Sequence, residues 1–344
     1  MGKVIGGEFD FLKPECGGKR NGLVDGCSIY ASGRAALWQI LNLLKQNGKA
    51  NHVYLPDYLC DSIYKVCEAL DMPYSFYKID DNLRADRIDL KTRYETSGGG
   101  ILVFINYFGI VNCEEEIIWA KQNLKDVVVV LDLVQAPFEI NTKSDADFAF
   151  TSLRKAFPLP DGGVVRSQNY QLPIVTEPNR FSQYKIAASF LKNLREDGYY
   201  DDSLYLDLYG KGEAMMDEDY QTAASCYTTK NIAALDIEYF AQRRRENASY
   251  LIRGLSQIGI KPCVAVSPEA VPLFIPVLLD NRDKVRKALF RNQIFTPVHW
   301  PIAGHEKELK CGCFMAEHEL SLIVDHRYTI EDMERMISII EENR

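Results

Sequence analysis

Val127-Val128-Val129-Val130-Leu131-Asp132, and after it Phe148-Ala149-Phe150-Thr151-Ser152-Leu153-Arg154-Lys155, decide the fold. Runs that are apolar at every position suit strands buried on both faces, as in a parallel sheet covered by helices. Asp132 then sits at the carboxyl end of one strand and Lys155 just past another. Open α/β sheets bind their ligands at such strand ends.

Outward from this stretch, β-rich runs at residues 52–55, 74–79, 101–105 and 163–165 predict further strands. Helical patterns fall between them at residues 60–69 and 114–124. A helix is predicted over residues 34–46, where Leu37, Ile40, Leu41 and Leu44 share one face and Ser32 is placed to cap it. Alternating strands and helices imply right-handed crossovers and an α/β layer architecture. Residues 183–239 read as helical and tyrosine-rich, with a polar loop near 199–202. Beyond Arg243 the pattern predicts a long helix, strands at 271–279 and 319–324, and a closing helix that starts at a Thr329/Asp332 capping box. The expectation is a three-layer α/β/α large domain over residues 1–240, with a mainly parallel mixed sheet, and a smaller α+β domain over 241–344.

The 344 residues, 47% of them hydrophobic and 26% charged, fit an ordinary globular chain with room for two domains. A formal charge of −8 argues against nucleic acid as the main partner. No apolar run reaches the roughly 20 residues of a membrane span. Nine cysteines, mostly far apart, and an N-terminus without an apolar signal segment predict reduced thiols in the cytoplasm.

Three pieces carry chemistry. Ser32-Gly33-Arg34 opens a helix whose free N–H groups suit a phosphate, although a plain N-cap has the same signature. Asp132 at a strand end calls for a cationic partner, with Gln135 placed to face the same ligand or merely the loop. Lys155 beside Arg154 has a setting in which a lysine amine becomes a nucleophile or Schiff-base former.

Taken together, Asp132-x-x-Gln135, Ser152-x-x-Lys155 and Asp161-Gly162-Gly163 resemble fold-type I pyridoxal phosphate (PLP) enzymes, in particular the DegT/DnrJ/EryC1/StrS sugar aminotransferase family. Tyr107-Phe108-Gly109, Arg243-Arg244-Arg245-x-Asn247, Val298-His299-Trp300-Pro301 and Leu320-Ser321-Leu322 extend the resemblance over nearly the whole chain. The resemblance implies PLP held as a Schiff base on Lys155, with Asp132 at the pyridine nitrogen and Gln135 at the phenolic oxygen. It implies Ser152 and Ser32-Gly33-Arg34 at the phosphate, Tyr58 or Tyr107 at the ring face, and His299 and Trp300 at the substrate. It also implies transfer of an amino group from an amino acid, glutamate in the family, to a keto sugar, nucleotide-linked in some members, by a homodimer.

Two departures stand out. The family's Gly-x-Asn-x-Arg segment, which reaches a neighbouring subunit's phosphate, is replaced by Ser225-Cys226-Tyr227-Thr228-Thr229-Lys230. The aromatic usual four residues after the second-strand proline is Cys60. Alternatives remain a fold-type I lyase or decarboxylase, a non-catalytic ligand-binding relative, and a zinc site from His299, His305, Cys311, Cys313 and His318. The zinc spacing fits no standard Cys/His finger. Cys311 and Cys313 are expected to flank a glycine turn, and Ser97-Gly98-Gly99-Gly100 to be a flexible connector.

Overall fold

The computed structural model describes residues 3–11, 20–49, 52–196, 202–302 and 309–344. The first half contains β1 (Ile5–Gly6), β2 (Ser28–Tyr30), α1 (Gly33–Gln46), β3 (Val53–Pro56), α2 (Asp61–Ala69), β4 (Tyr74–Tyr77) and α3 (Arg87–Ser97). It continues with β5 (Ile101–Ile105), α4 (Glu114–Asn123), β6 (Val128–Asp132), β7 (Phe148–Ser152) and β8 (Gly163–Ser167). Then come α5 (Phe181–Glu196), α6 (Asp202–Met216), α7 (Cys226–Asn231) and α8 (Ile237–Gln257). The chain closes with β9 (Phe274–Leu278), α9 (Arg282–Arg291), β10 (Ile294–Phe295), α10 (Lys310–His318), β11 (Glu319–Ile323) and α11 (Ile330–Asn343).

The seven-stranded sheet has the order β2-β8-β7-β6-β5-β3-β4. From β7 to β4 its neighbours run parallel, and β8 lies antiparallel to both β7 and β2. Side-chain alternation on β6 shows why an unbroken apolar run was needed: Val128 and Val130 join the core beneath α1 and α2, and Val129 and Leu131 the core beneath α3 and α4. Each such side chain, fully buried, contributes on the order of 1.5–3 kcal/mol. This mainly parallel, mixed sheet between two helical layers is the expected large-domain architecture.

A third core gathers Leu251 and Leu255 of α8, Ile275 and Val277 of β9, Leu320 and Leu322 of β11, and Met336 of α11. The strands here are an antiparallel β9–β11 pair and a parallel β1–β10 pair. The 240/241 boundary read from sequence falls inside α8, whose Phe240 packs into the large-sheet core while Leu251 packs into the third one. Ile5, in the N-terminal arm, also joins the third core, because β1 pairs with β10.

Local signals behave as their chemistry requires. Ser32 caps α1, its hydroxyl accepting from the Ala35 N–H, and the Thr329/Asp332 capping box opens α11. Two readings change. Gly98, at φ 81°, is the left-handed C-cap of α3, so the glycine run ends a helix and feeds β5. Cys311 and Cys313 lie within α10, whose Gly312 N–H donates to the Asp57 carbonyl. The polar loop read near 199–202 lies outside the described residues up to Asp202, which starts α6.

Candidate active site

The carboxyl ends of β6 and β7 open into a cavity of about 1090 Å³. Asp132 closes β6, paired in register with Ile105 and Phe150, and its Oδ1 accepts the Val134 N–H at 2.7 Å. It is buried and has no ion-pair partner among the described residues. Burial pushes its carboxyl up to about 7, against the single N–H bond. Lys155 ends the short helical turn Leu153–Lys155 that follows β7 and lines the same cavity. Arg154 beside it, and then burial, lower the proton affinity of its amine.

Arg154 is itself held from behind. It pairs with Glu213 of α6 at 3.0 Å and reaches Glu8 at 3.9 Å, while Lys185 of α5 also pairs with Glu213. Although burial opposes it, Arg154 and Lys185 hold the Glu213 carboxyl down to about 2. A fixed guanidinium one residue from Lys155 thus disfavours the protonated amine, the direction a nucleophilic lysine needs.

The amino end of α1 faces the same space. Ser32, Gly33, Arg34 and Ser152 all line the cavity. A Cβ on Gly33 would lie 3.3 Å from Ser152 Cβ and 3.4 Å from Val134 Cγ2, so a side chain would crowd this cradle. Gly163 explains the Asp161-Gly162-Gly163 run: a Cβ there would come within 1.8 Å of the Ser32 carbonyl, where β8 presses on the loop. Arg34 forms an ion pair with Asp217.

Gln135 is buried, and its Oε1 accepts the Phe108 N–H at 2.8 Å. That bond fixes the amide orientation and leaves the NH₂ as a donor on the cavity wall. Tyr58 and Tyr107, expected at the ring face, do not line the cavity. Their hydroxyls donate to the carbonyls of His299 and Tyr58, both at 2.6 Å, and their stacked rings form a layer behind the wall. Cys60 lines the cavity instead, as do His299 and Trp300, with Trp300 packed on Tyr58 at 4.9 Å.

The replaced segment has a structural account. Asp161 is buried and accepts from the Ser225 N–H and hydroxyl, the Asn179 amide and the Thr228 hydroxyl. Ser225 in turn caps α7, so residues 225–230 form a helix start tied to the loop before β8.

Sequence reasoning missed the network of Arg154, Glu213, Lys185 and Glu8, because its members are distant in the chain. It also missed Arg244, which is fully buried on the cavity wall and donates to the carbonyls of Pro272 and Leu273. Burial lowers its guanidinium to about 10. The arginine run signalled this position without separating it from its neighbours. No metal-ligating cluster of His, Cys, Asp or Glu occurs among the described residues, and His305 lies outside them.

The donor set suits PLP. A buried carboxylate without a cation fits a protonated pyridine, a depressed lysine amine fits an aldehyde, and a crowded glycine at a helix start fits a phosphate. The architecture is that of fold-type I PLP-dependent transferase structures. No family model and no curated protein matches the chain. Among solved structures, it is similar to the sugar aminotransferase CalS13 of Micromonospora echinospora, with 13% identity and a TM-score of 0.67 over 98% of this chain and 99% of that one. It is also similar to a DegT DnrJ EryC1 StrS aminotransferase of Brucella abortus, with 14% identity and a TM-score of 0.65 over 93% and 86% of the two chains. The PLP form of Spr1654 of Streptococcus pneumoniae gives 15% identity and a TM-score of 0.69 over 99% and 98%.

Proposed function

We propose that the chain is a PLP-dependent aminotransferase that moves an amino group from an amino acid, glutamate by family resemblance, to a keto sugar, with nucleotide-linked sugars the first to test. One observation carries this reading: a buried Asp132 without a cation and a depressed Lys155 amine face one cavity. Bound PLP supplies an electron sink for the carbanion left when the donor's α-proton departs. Asp132 Oδ would keep the pyridine nitrogen protonated, and the Gln135 NH₂ would donate to the phenolic oxygen. Ser32, Gly33, Arg34 and Ser152 would hold the phosphate. Lys155 Nζ would hold PLP through its amine and would carry the substrate's α-proton.

Homodimer formation belongs to the same proposal. Phe190 of α5 and Leu204 and Leu206 of α6 are 48%, 45% and 55% exposed, an apolar surface that supports a two-fold contact. A cytoplasmic location is also part of it, and no helix among the described residues is long and apolar enough to cross a membrane.

The test is spectroscopic. Purified protein with PLP should gain a visible absorption band that glutamate bleaches and a keto sugar from a nucleotide-linked panel restores. A protein that binds PLP but shows no bleaching with any amino acid would sink the transaminase reading.

A further inference from the structure

β11 opens with Glu319 and carries Ser321 two residues on, so both side chains leave the same face of the strand. Both are fully buried. Glu319 Oε2 accepts the main-chain N–H of His299 at 2.8 Å, and Glu319 Oε1 lies 2.5 Å from Ser321 Oγ. Ser321 Oγ lies 2.7 Å from His299 Nδ1. His299 lines the cavity, and its Nε2 has no partner among the described residues.

A hydroxyl carries one proton, so this chain of three side chains has two arrangements. With Glu319 as carboxylate, Ser321 donates to it and must accept from His299, which places the ring proton on Nδ1 and leaves Nε2 bare. With Glu319 as carboxylic acid, its O–H donates to Ser321, and Ser321 donates to Nδ1. The ring proton then sits on Nε2.

The surroundings favour the acid. Arg282 uses its guanidinium on the carbonyls of Glu319 and Ala316 and on Asp283, and Arg286 donates to the Thr296 carbonyl. Neither forms an ion pair with Glu319. The other titratable groups facing this chain are Tyr58, Cys263 and, from the end of β7, Lys155. Burial pushes the Glu319 carboxyl up to about 8, against its hydrogen bonds and the charges of Arg282 and Arg286. Burial and then Lys155 hold His299 down to about 3, so its ring is neutral and only the tautomer is open.

We propose that Glu319 is a positioning residue: as a buried carboxylic acid acting through Ser321, it holds His299 with the ring proton on Nε2, giving the cavity wall a hydrogen-bond donor for a substrate oxygen. The donor's meaning for a substrate rests on the proposed function, and the tautomer itself does not.

Nitrogen-15 NMR of the full-length protein with labelled imidazoles, free of cofactor and substrate, tests this. The chain has five histidines, so a His299→Gln sample identifies the signal. Well below pH 8 the wild type should show a protonated Nε2 and a bare Nδ1. Well above pH 8 the proton should move to Nδ1 as Glu319 ionises. Glu319→Gln, whose amide donates to Ser321 as the acid does, should keep the proton on Nε2 throughout and so separate Glu319 from Lys155 as the source of the change. A wild-type ring protonated on Nδ1 below pH 8, or a pH response that persists in Glu319→Gln, overturns the proposal. Because the readout needs neither PLP nor turnover, it stands or falls apart from the aminotransferase reading.

Discussion

Asp132 and Asp325 are both buried carboxylates on the wall of one cavity, each at or just past the end of a strand, β6 in one case and β11 in the other. Asp325 accepts from the Arg327 N–H at 3.0 Å and from its guanidinium at 3.0 and 2.7 Å. Although burial works against it, Arg327 holds Asp325 well below the usual carboxylate range. Asp132 has one backbone N–H and no cation, and burial lifts it to about 7. Among the described residues the chain supplies a counter-ion to Asp325 and none to Asp132. The two acids thus differ by the partner supplied two residues away, Arg327 in one case and the Val134 N–H in the other.

The largest effect should fall on the residue that shares the cavity with Asp132. Lys155→Ala should lower turnover by at least about 10⁴-fold, since no other group replaces its amine as nucleophile and proton carrier. Its thermal melting should equal or exceed that of the wild type, because the side chain faces the cavity and its depressed amine costs stability at neutral pH. Single-turnover rates with glutamate measure the loss.

Asp325→Asn breaks the completed member of the pair. It leaves the partly buried Arg327 guanidinium with a neutral partner, at a cost of at most about 3–5 kcal/mol in urea unfolding. The Asp325 carboxyl is depressed in the folded state, so the pair's contribution is complete at neutral pH and disappears as pH falls through the acid range. Wild type and variant should therefore converge in acid.

Asp132→Asn should act the other way. The Asp132 carboxyl is raised in the folded state, so the wild type without PLP loses stability as pH rises from about 4 to about 7. The variant has no such loss and should be more stable at pH 8 by the order of a few kcal/mol. With PLP and substrate it should turn over about 10²-fold more slowly or worse, because the pyridine loses its counter-charge. A variant that is less stable without PLP would break the comparison.

The smallest effect is electrostatic tuning at a distance. Glu213 raises the proton affinity of Lys155, so Glu213→Gln should lower it further. The acid limb of the pH profile for reaction with a simple aldehyde should move to lower pH. A shift to higher pH would contradict the role given to the Arg154 network.

The central sheet was legible because its strands are buried on both faces. Residues 101–105 were bounded as found, β6 moved by one residue from 127–131 to 128–132, and β7 gained Ser152. α3 was not read, because only Leu90 and Tyr94 anchor it and the remaining residues are mostly polar. β2 was missed for a different reason, its three residues forming a strand only through their ladder with β8. Within the site, Asp132 and Lys155 followed from strand ends and Ser32 and Gly33 from a helix start, features that sequence periodicity exposes, whereas Ser152 followed from the family resemblance. Depth was not exposed: Tyr58 and Tyr107 sit behind the wall and Cys60 on it, a distinction set by packing across the sheet. The contact of Glu319 and Ser321 with His299 was invisible for the same reason, since His299 comes from another element.

Borohydride reduction of the PLP-saturated protein, followed by peptide mapping, tests the central claim most directly. The account predicts a single phosphopyridoxyl group on Lys155, absent from Lys155→Ala. Modification of a different lysine, or none in a protein that binds PLP, would contradict it.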